Sequence, residues 1–326
     1  MRFNQSKLRS VSRRNHCQVC GGDHNCSISE DGGLIICGRV ADGARNTARD
    51  GRFIHVIRAA ANQPIHVHSR PLTWTIASIE QRHAVYEQFL ENGALAGYHA
   101  DDLMRRGLSD TEIARNLYSS YPTSTTIPCR YTAKIAAQFD LTGIPGFFRY
   151  GDHWRFVAGG PGFFIPVRDV QGRIQACQVR LDRGSLRYIW FSSGNSDDRG
   201  GTSSGAPIHF ARPWRALSSG ECVITEGALK ADIIAEHLDA CVVAVAGVTC
   251  FNDNFGLWLR DRLPALRIAL IAFDSDWHVK PPVEAAMLRM MAAIENAGLE
   301  GGLLDWSGAK GLDDLLSEEA GKCTVR

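Results

Sequence analysis

The sequence predicts a multidomain α/β protein whose C-terminal third folds as a parallel sheet flanked by helices. Three observations carry this expectation. From residue 219 onward, apolar runs alternate with amphipathic segments. A cluster of cysteines sits near the N-terminus. Between them lies a Gly-rich stretch, residues 145–215, with short strand-like runs. Strand–helix alternation implies parallel strands, because a parallel pair needs a crossover that packs on the sheet face. The 326 residues suffice for several cores, and compositional breaks divide the chain into 1–60, 61–130, 131–218 and 219–326.

Residues 1–60 are rich in Cys, Gly and Arg, with short alternating runs. Helical spacing of apolar residues runs from Ile76 to Glu91, and Ser109-Asp110-Thr111-Glu112 is a capping box that opens a further helix. Strands are expected at Phe163–Val167, Ile174–Leu181 and Tyr188–Phe191, within a mixed α+β middle region. In the last third, strands at Cys222–Thr225, Cys241–Ala246, Ile268–Phe273 and Gly302–Trp306 alternate with helices at Ala228–Leu238, Phe255–Leu263, Val283–Ala297 and Asp313–Glu319.

The net charge of +1 conceals a division. Residues 1–58 hold 10 Lys/Arg against 5 Asp/Glu, whereas residues 219–326 hold 9 against 17. A basic front suits a polyanion and an acidic back suits divalent cations; solvated surface explains either equally well. No apolar run reaches the roughly 20 residues of a membrane span, and the N-terminus lacks a secretory h-region. A cytoplasmic location is therefore expected, with the ten cysteines as thiols or metal ligands.

The segment Cys17-Gln-Val-Cys20-Gly-Gly-Asp-His24-Asn-Cys26, with Cys37 beyond it, has the form of a zinc knuckle: the turn aims two thiolates at one ion, and two further soft ligands complete a tetrahedron. Cys26 and Cys37 are the expected partners, with His24 and His16 as competitors for the place of Cys26. Four protein ligands leave no open position, so the zinc is structural, and so short a ribbon depends on it for folding. Arg9, Arg13, Arg14, Arg39 and Arg45 flank the knuckle as a template-binding surface or as ordinary solubilising charge. The remaining cysteines sit in apolar contexts and are expected in cores.

A second constellation lies in the last third. Glu226 ends one expected strand, and Asp274 and Asp276 close another. Ligands gather at the carboxyl ends of parallel strands. Residues i and i+2 of an extended segment point the same way, so both aspartates are expected to face one ion opposite Glu226. Such oxygen donors suit Mg²⁺ or Mn²⁺. Lys310-Gly-Leu-Asp313-Asp314 adds a further carboxylate and a phosphate-seeking cation, or else an ordinary helix start.

Read in order, Thr-Glu226-Gly227, Ala246-Gly247, Phe-Asp274-Ser-Asp276 and Lys310-Gly-Leu-Asp313-Asp314 resemble the Toprim domain shared by topoisomerases, primases and some nucleases. Upstream, Phe164-Ile-Pro-Val-Arg168, Gly172-Arg173-Ile, Val179-Arg180-Leu and Arg187-Tyr188 resemble the N-terminal part of the polymerase core of bacterial DnaG-type primases, with the cysteine finger in the same order ahead of it. The chain also resembles the compact primase-like proteins of plasmids, phages and integrative elements. The resemblance implies a zinc-binding domain over 1–60, a helical connecting region over 61–130, the N-terminal subdomain of the catalytic core over 131–218 and a Toprim domain over 219–326. It implies Glu226 as catalytic glutamate, Asp274 and Asp276 as metal ligands, Asp313 as a later acidic ligand, and Arg180 and Arg187 as residues that hold template or nucleotide. The chain departs from the pattern at Lys230, where primases place an aspartate four residues after the glutamate, and at Gly311, where another aspartate is expected. Lys230 is then expected to touch phosphate. The finger also lacks a second paired ligand motif.

The implied activity is primer synthesis on single-stranded DNA from NTPs or dNTPs. A Toprim nuclease and a catalytically weak replication accessory are the alternatives. No Gly-x-x-x-x-Gly-Lys-[Ser/Thr] loop is present, so a helicase is expected to act in trans.

Overall fold

The computed structural model describes residues 8–12, 15–30, 32–41, 44, 46–48, 52–57, 76–122, 127–157, 160–184 and 186–323. Arg13, Arg14 and Arg45 lie outside the described residues. No described helix is long and apolar enough to cross a membrane.

The front ribbon comprises β1 (Leu8–Ser10), β2 (Ser27–Ser29), β3 (Leu34–Cys37), β4 (Asn46–Thr47) and β5 (Phe53–Val56), an antiparallel sheet in the order β1-β2-β3-β5-β4. Its core is small: Val11, Ile28 and Ile35 pack around the four thiols. Few apolar side chains support so many backbone residues, which is why a metal crosslink matters here.

Helix α1 (Ile79–Glu91) starts at Ser78, whose hydroxyl accepts from the Gln81 amide while the Gln81 side chain accepts from the Ser78 amide. Helices α2 (Gly97–Arg105) and α3 (Asp110–Asn116) follow; Ser109 caps α3 by accepting from the Glu112 amide at 3.2 Å. Then come β6 (Ser119–Ser120), α4 (Ile127–Ala136), and the hairpin of β7 (Phe147–Tyr150) and β8 (His153–Phe156). Strands β9 (Gly162–Arg168), β10 (Ile174–Leu181) and β11 (Tyr188–Trp190) complete an antiparallel sheet in the order β11-β10-β9-β6. Phe89 of α1 lies 5.2 Å from Phe164 and 5.3 Å from Phe147, and stacks on Phe191 at 5.6 Å. Residues from the expected connecting region and the expected catalytic subdomain thus share one core. Each buried phenyl contributes roughly 1.5–3 kcal/mol to it.

Strand β9 is buried along nearly its whole length because both faces are covered. Phe164 faces the aromatic core, while Phe163, Ile165 and Val167 pack with Ala228, Leu229 and Ile233 of the next module. Gly162 permits the close pairing of β9 with β10, since a Cβ there would sit 2.1 Å from the Arg180 carbonyl oxygen.

The last module contains β12 (His209–Ala211), α5 (Arg215–Ser219), β13 (Glu221–Glu226), α6 (Ala228–Leu238), β14 (Val242–Val245), α7 (Phe255–Arg262), β15 (Ile268–Ile271), α8 (Pro281–Asn296), β16 (Glu300–Leu303) and α9 (Leu312–Cys323). The sheet runs β12-β14-β13-β15-β16. β13 is parallel to β14 and β15, β15 is parallel to β16, and β12 is an antiparallel edge. Helices α7 and α8 cover one face, and α6 and α9 the other. A buried polar knot joins the modules: His209 Nε2 meets Asp232 Oδ1 at 3.0 Å, the Tyr118 hydroxyl donates to Asp232 Oδ2 at 2.5 Å, and the Arg168 amide donates to His209 Nδ1 at 3.0 Å.

Two sequence expectations are corrected. The last strand covers Glu300–Leu303 and not Gly302–Trp306. Its glycines serve packing: a Cβ at Gly301 would lie 2.3 Å from Met291 Sδ. Strand β15 ends at Ile271, so Asp274 and Asp276 do not extend it. Asp276 (φ −87°, ψ 15°) instead begins a 3-10 turn over Trp277–Val279.

Candidate acidic site and candidate zinc centre

The four thiol sulfurs of Cys17, Cys20, Cys26 and Cys37 lie within 4.8 Å of one another, and all four residues are buried. Gly21 (φ +68°) closes the knuckle: its amide donates to the Cys17 carbonyl at 2.7 Å, and the Cys17 amide donates to the Gly22 carbonyl at 2.8 Å. Amides of Gly38, Arg39 and Val40 point at the Cys26 and Cys37 sulfurs, each at 3.4 Å, and Arg39 Nη1 lies 3.7 Å from Cys20 Sγ. These donors offset the negative charge that four thiolates bring. His24 turns outward to Asp23 and Arg39, and His16 is exposed, so neither histidine joins the sulfurs. The cluster is able to hold a zinc ion. The knuckle also abuts the last module: a Cβ at Gly21 would sit 3.4 Å from Pro282 at the start of α8.

Glu226 stands at the carboxyl end of β13, and Gly227 (φ +87°) turns the chain into α6. One helical turn on, Lys230 Nζ lies 3.0 Å from Glu226 Oε1 and also binds Asp274 Oδ1. Lys310 Nζ approaches Asp274 Oδ2 at 2.8 Å. The Ser275 amide and hydroxyl donate to the carbonyls of Lys310 and Ala309, pinning the two loops together. Asp313 is buried at the start of α9. A Cβ at Gly311 would meet Asp313 Oδ1 at 2.3 Å, so the glycine gives that carboxylate its room. Asp276 is drawn away, pairing with Lys280 Nζ at 2.5 Å. The structure therefore brings Glu226, Lys230, Asp274 and Lys310 into contact, sets Asp313 within electrostatic reach of Lys230, and leaves Asp276 at the margin.

Charge in this group is uneven. Burial, and then the neighbouring Asp274, push Glu226 up to about 7 against the pull of Lys230. Burial also opposes the charge on Asp274, but hydrogen bonds with Glu226, Lys230 and Lys310 prevail and hold it down to about 2. Burial raises Asp313 above the usual carboxylate range. Glu226 Oε2 and Asp313 Oδ1 are buried and have no hydrogen-bond partner. Such orphaned carboxylate oxygens are costly, and a hard cation satisfies them. Glu226 and Asp274 thus offer oxygen donors of the kind a hard cation takes, while the Lys230 ammonium already bridges them.

The residues expected to hold nucleic acid separate on inspection. Arg180 is tied to Asp102 of α2 at 2.6 Å and lies over the Phe163 ring, whereas Arg187 is exposed. Both line a groove of about 820 Å³ between α2 and the β10–β11 hairpin. Tyr98, His99 and Asp182 share that groove and carried no signal in the sequence. The ammonium of Lys280 against Asp276 was likewise not foreseen.

A family described as a domain of unknown function (DUF3854) matches residues 214–323. No curated protein matches the chain. Among solved structures, the fold is similar to the zinc-binding and RNA polymerase domains of the Aquifex aeolicus primase, with TM-score 0.55 and 16% identity over 76% of this chain and 61% of that one. The RNA polymerase domain of Mycobacterium tuberculosis primase DnaG gives TM-score 0.56 and 13% identity over 76% and 84% of the two chains. A DnaG primase catalytic domain bound to ssDNA gives 0.54 and 14%, over 75% and 77%. The chain thus spans about three-fifths of the Aquifex structure. At these identities the likeness shows a shared, primase-like fold.

Proposed function

We propose that this chain is a DNA primase that makes short primers on single-stranded DNA by template-directed nucleotidyl transfer. One observation carries the reading: Glu226 and Asp274 meet beyond the carboxyl ends of adjacent parallel strands, with an unpartnered buried oxygen on Glu226, in a primase-like fold. On this reading residues 1–60 are a zinc-binding domain, 61–130 a helical connection, 131–218 the N-terminal subdomain of the catalytic core and 219–326 a Toprim domain. The likeness to compact primases of plasmids, phages and integrative elements suggests replication of a mobile element, with a helicase in trans.

Glu226, Asp274 and Asp313 would hold Mg²⁺ or Mn²⁺, which supplies Lewis-acid stabilisation of the transferring phosphate. The reaction joins the 3′-hydroxyl of one nucleotide to the α-phosphate of the next and releases pyrophosphate. Asp274 stays anionic at any working pH because hydrogen bonds with Glu226, Lys230 and Lys310 hold it so. Lys230 and Lys310 offer ammonium groups to the triphosphate, and Asp276 joins only by exchanging its partner Lys280. Arg187, with Arg13 and Arg14, contacts the template, while Arg180 braces the groove wall.

A second reading, a nucleic-acid-binding accessory with weak catalysis, is favoured by the ammonium of Lys230 between the two carboxylates. Incubating purified protein with single-stranded DNA, labelled NTPs or dNTPs and Mg²⁺ or Mn²⁺ separates the two. Short products that vanish in Glu226→Gln support the primase; DNA binding without products supports the accessory; cleavage of labelled DNA points to a nuclease.

A further inference from the structure

We propose that Tyr98 is a stacking platform for an unpaired base, deepening the single-strand-binding part of the reading above, on which it rests. Tyr98 is 60% exposed, yet its ring is fixed at both ends. Its hydroxyl donates to Asp182 Oδ2 at 3.2 Å, and its ring packs on His99 with centroids 4.1 Å apart. His99 is itself buried and immobilised, with Nδ1 at 2.7 Å from Ser120 Oγ and Nε2 at 2.8 Å from Asp182 Oδ1. An exposed aromatic side chain normally loses rotamer freedom when it binds a partner; this one has already lost it.

The charges around the ring select the ligand. Both carboxylates of the groove are spent internally. Asp182 serves His99 and Tyr98, and Asp102 serves Arg105, Arg106 and Arg180. Across the groove, Arg183 and Arg187 are exposed and form no ion pair among the described residues. A rigid aromatic face opposite two exposed guanidinium groups suits a chain of alternating phosphates and flat bases. Single-stranded nucleic acid has that chemistry, whereas a duplex hides its base faces. The groove is wide enough for a nucleotide, at about 820 Å³. Ser317 of α9 donates to the Arg106 carbonyl at 2.8 Å, so the helix bearing Tyr98 is braced against the helix bearing Asp313.

The test is fluorescence anisotropy with a labelled oligo(dT) and with an abasic oligonucleotide of equal length, both against the full chain. Tyr98→Ala is expected to weaken oligo(dT) binding roughly 5- to 100-fold while leaving abasic binding unchanged. Tyr98→Phe keeps the ring but releases it from Asp182, so it should bind between the wild type and Tyr98→Ala. Tyr98→Trp should retain affinity and show indole quenching on oligo(dT) but none on the abasic strand. Wild-type affinity in Tyr98→Ala, together with a loss in Arg183→Glu/Arg187→Glu, overturns the stacking role and leaves the groove as a strand-binding surface. Equal binding of oligo(dT) and abasic strand by the wild type also overturns it. If the wild type binds neither strand, the primase reading fails as well.

Discussion

Replacing Lys230 by methionine probes whether an ammonium group holds the acidic site together. The substitution keeps an unbranched side chain one atom shorter and removes its charge. Lys230 Nζ contacts Glu226 at 3.0 Å and Asp274 as well, and the three side chains are only 25%, 19% and 18% exposed. Breaking a buried pair by removing one partner costs on the order of 3 kcal/mol, because the carboxylates left behind repel in a poorly solvated place. Glu226, already pushed up to about 7, relieves that repulsion by taking a proton. The cost is therefore greater at pH 8 than at pH 6. A loss of about 3 kcal/mol corresponds to a fall of roughly 4 °C in melting temperature when the chain melts as one unit. Thermal denaturation followed by circular dichroism measures it. Manganese should restore most of the loss at pH 8, since a ligand at a hundred times its dissociation constant contributes about 2.7 kcal/mol. The wild type, whose site already contains an ammonium, should gain less. Equal melting of the two proteins at both pH values, with equal manganese shifts, would refute the account of Lys230 as an internal cation.

Much of the middle sheet and of the last module was legible because their physical signals are local. The helix Ala228–Leu238 and the strand Ile174–Leu181 fall where periodicity and apolar runs put them. Strand β16 was placed two residues late, over Gly302–Trp306, because its glycines, which admit Met291, carry no apolar pattern. The capping box at Ser78 was there to be read, yet the apolar periodicity from Ile76 masked it. At the acidic site the residue types were legible and their partners were not. The expectation for Asp274 and Asp276 assumed an extended backbone; the strand ends at Ile271, and the turn that follows sends Asp276 to Lys280. Lys230 stood out as a departure from a resembling family, but its bridge to Asp274 depends on contact across 44 residues. The fixation of Tyr98 by Asp182 was equally hidden, since it joins α2 to the end of β10 across 84 residues.

Three further outcomes follow from the same geometry. Elemental analysis should find one zinc per chain, and Cys26→Ser should lower both zinc content and the stability of the ribbon, whereas His24→Ala should leave zinc content unchanged because His24 turns away from the sulfurs. Glu226→Gln keeps the shape of the side chain and removes its charge; primer synthesis should fall on the order of a hundred-fold or more, with oligonucleotide affinity retained, and full synthesis by that variant would remove the proposed mechanism. The last outcome concerns pH. Glu226 has its carboxyl raised to about 7, so below that pH it is mostly protonated and a divalent ion must displace the proton to bind. Asp274 is held down to about 2 and does not change charge over the working range. Manganese affinity, read from the free-ion electron paramagnetic resonance signal, should therefore strengthen about tenfold per pH unit below pH 7 and level off above it. Glu226→Gln removes the titrating group, so its weaker affinity should stay flat between pH 6 and 8. A wild-type affinity that is equally flat would mean that Glu226 is not the proton-linked ligand, even if the variant loses activity.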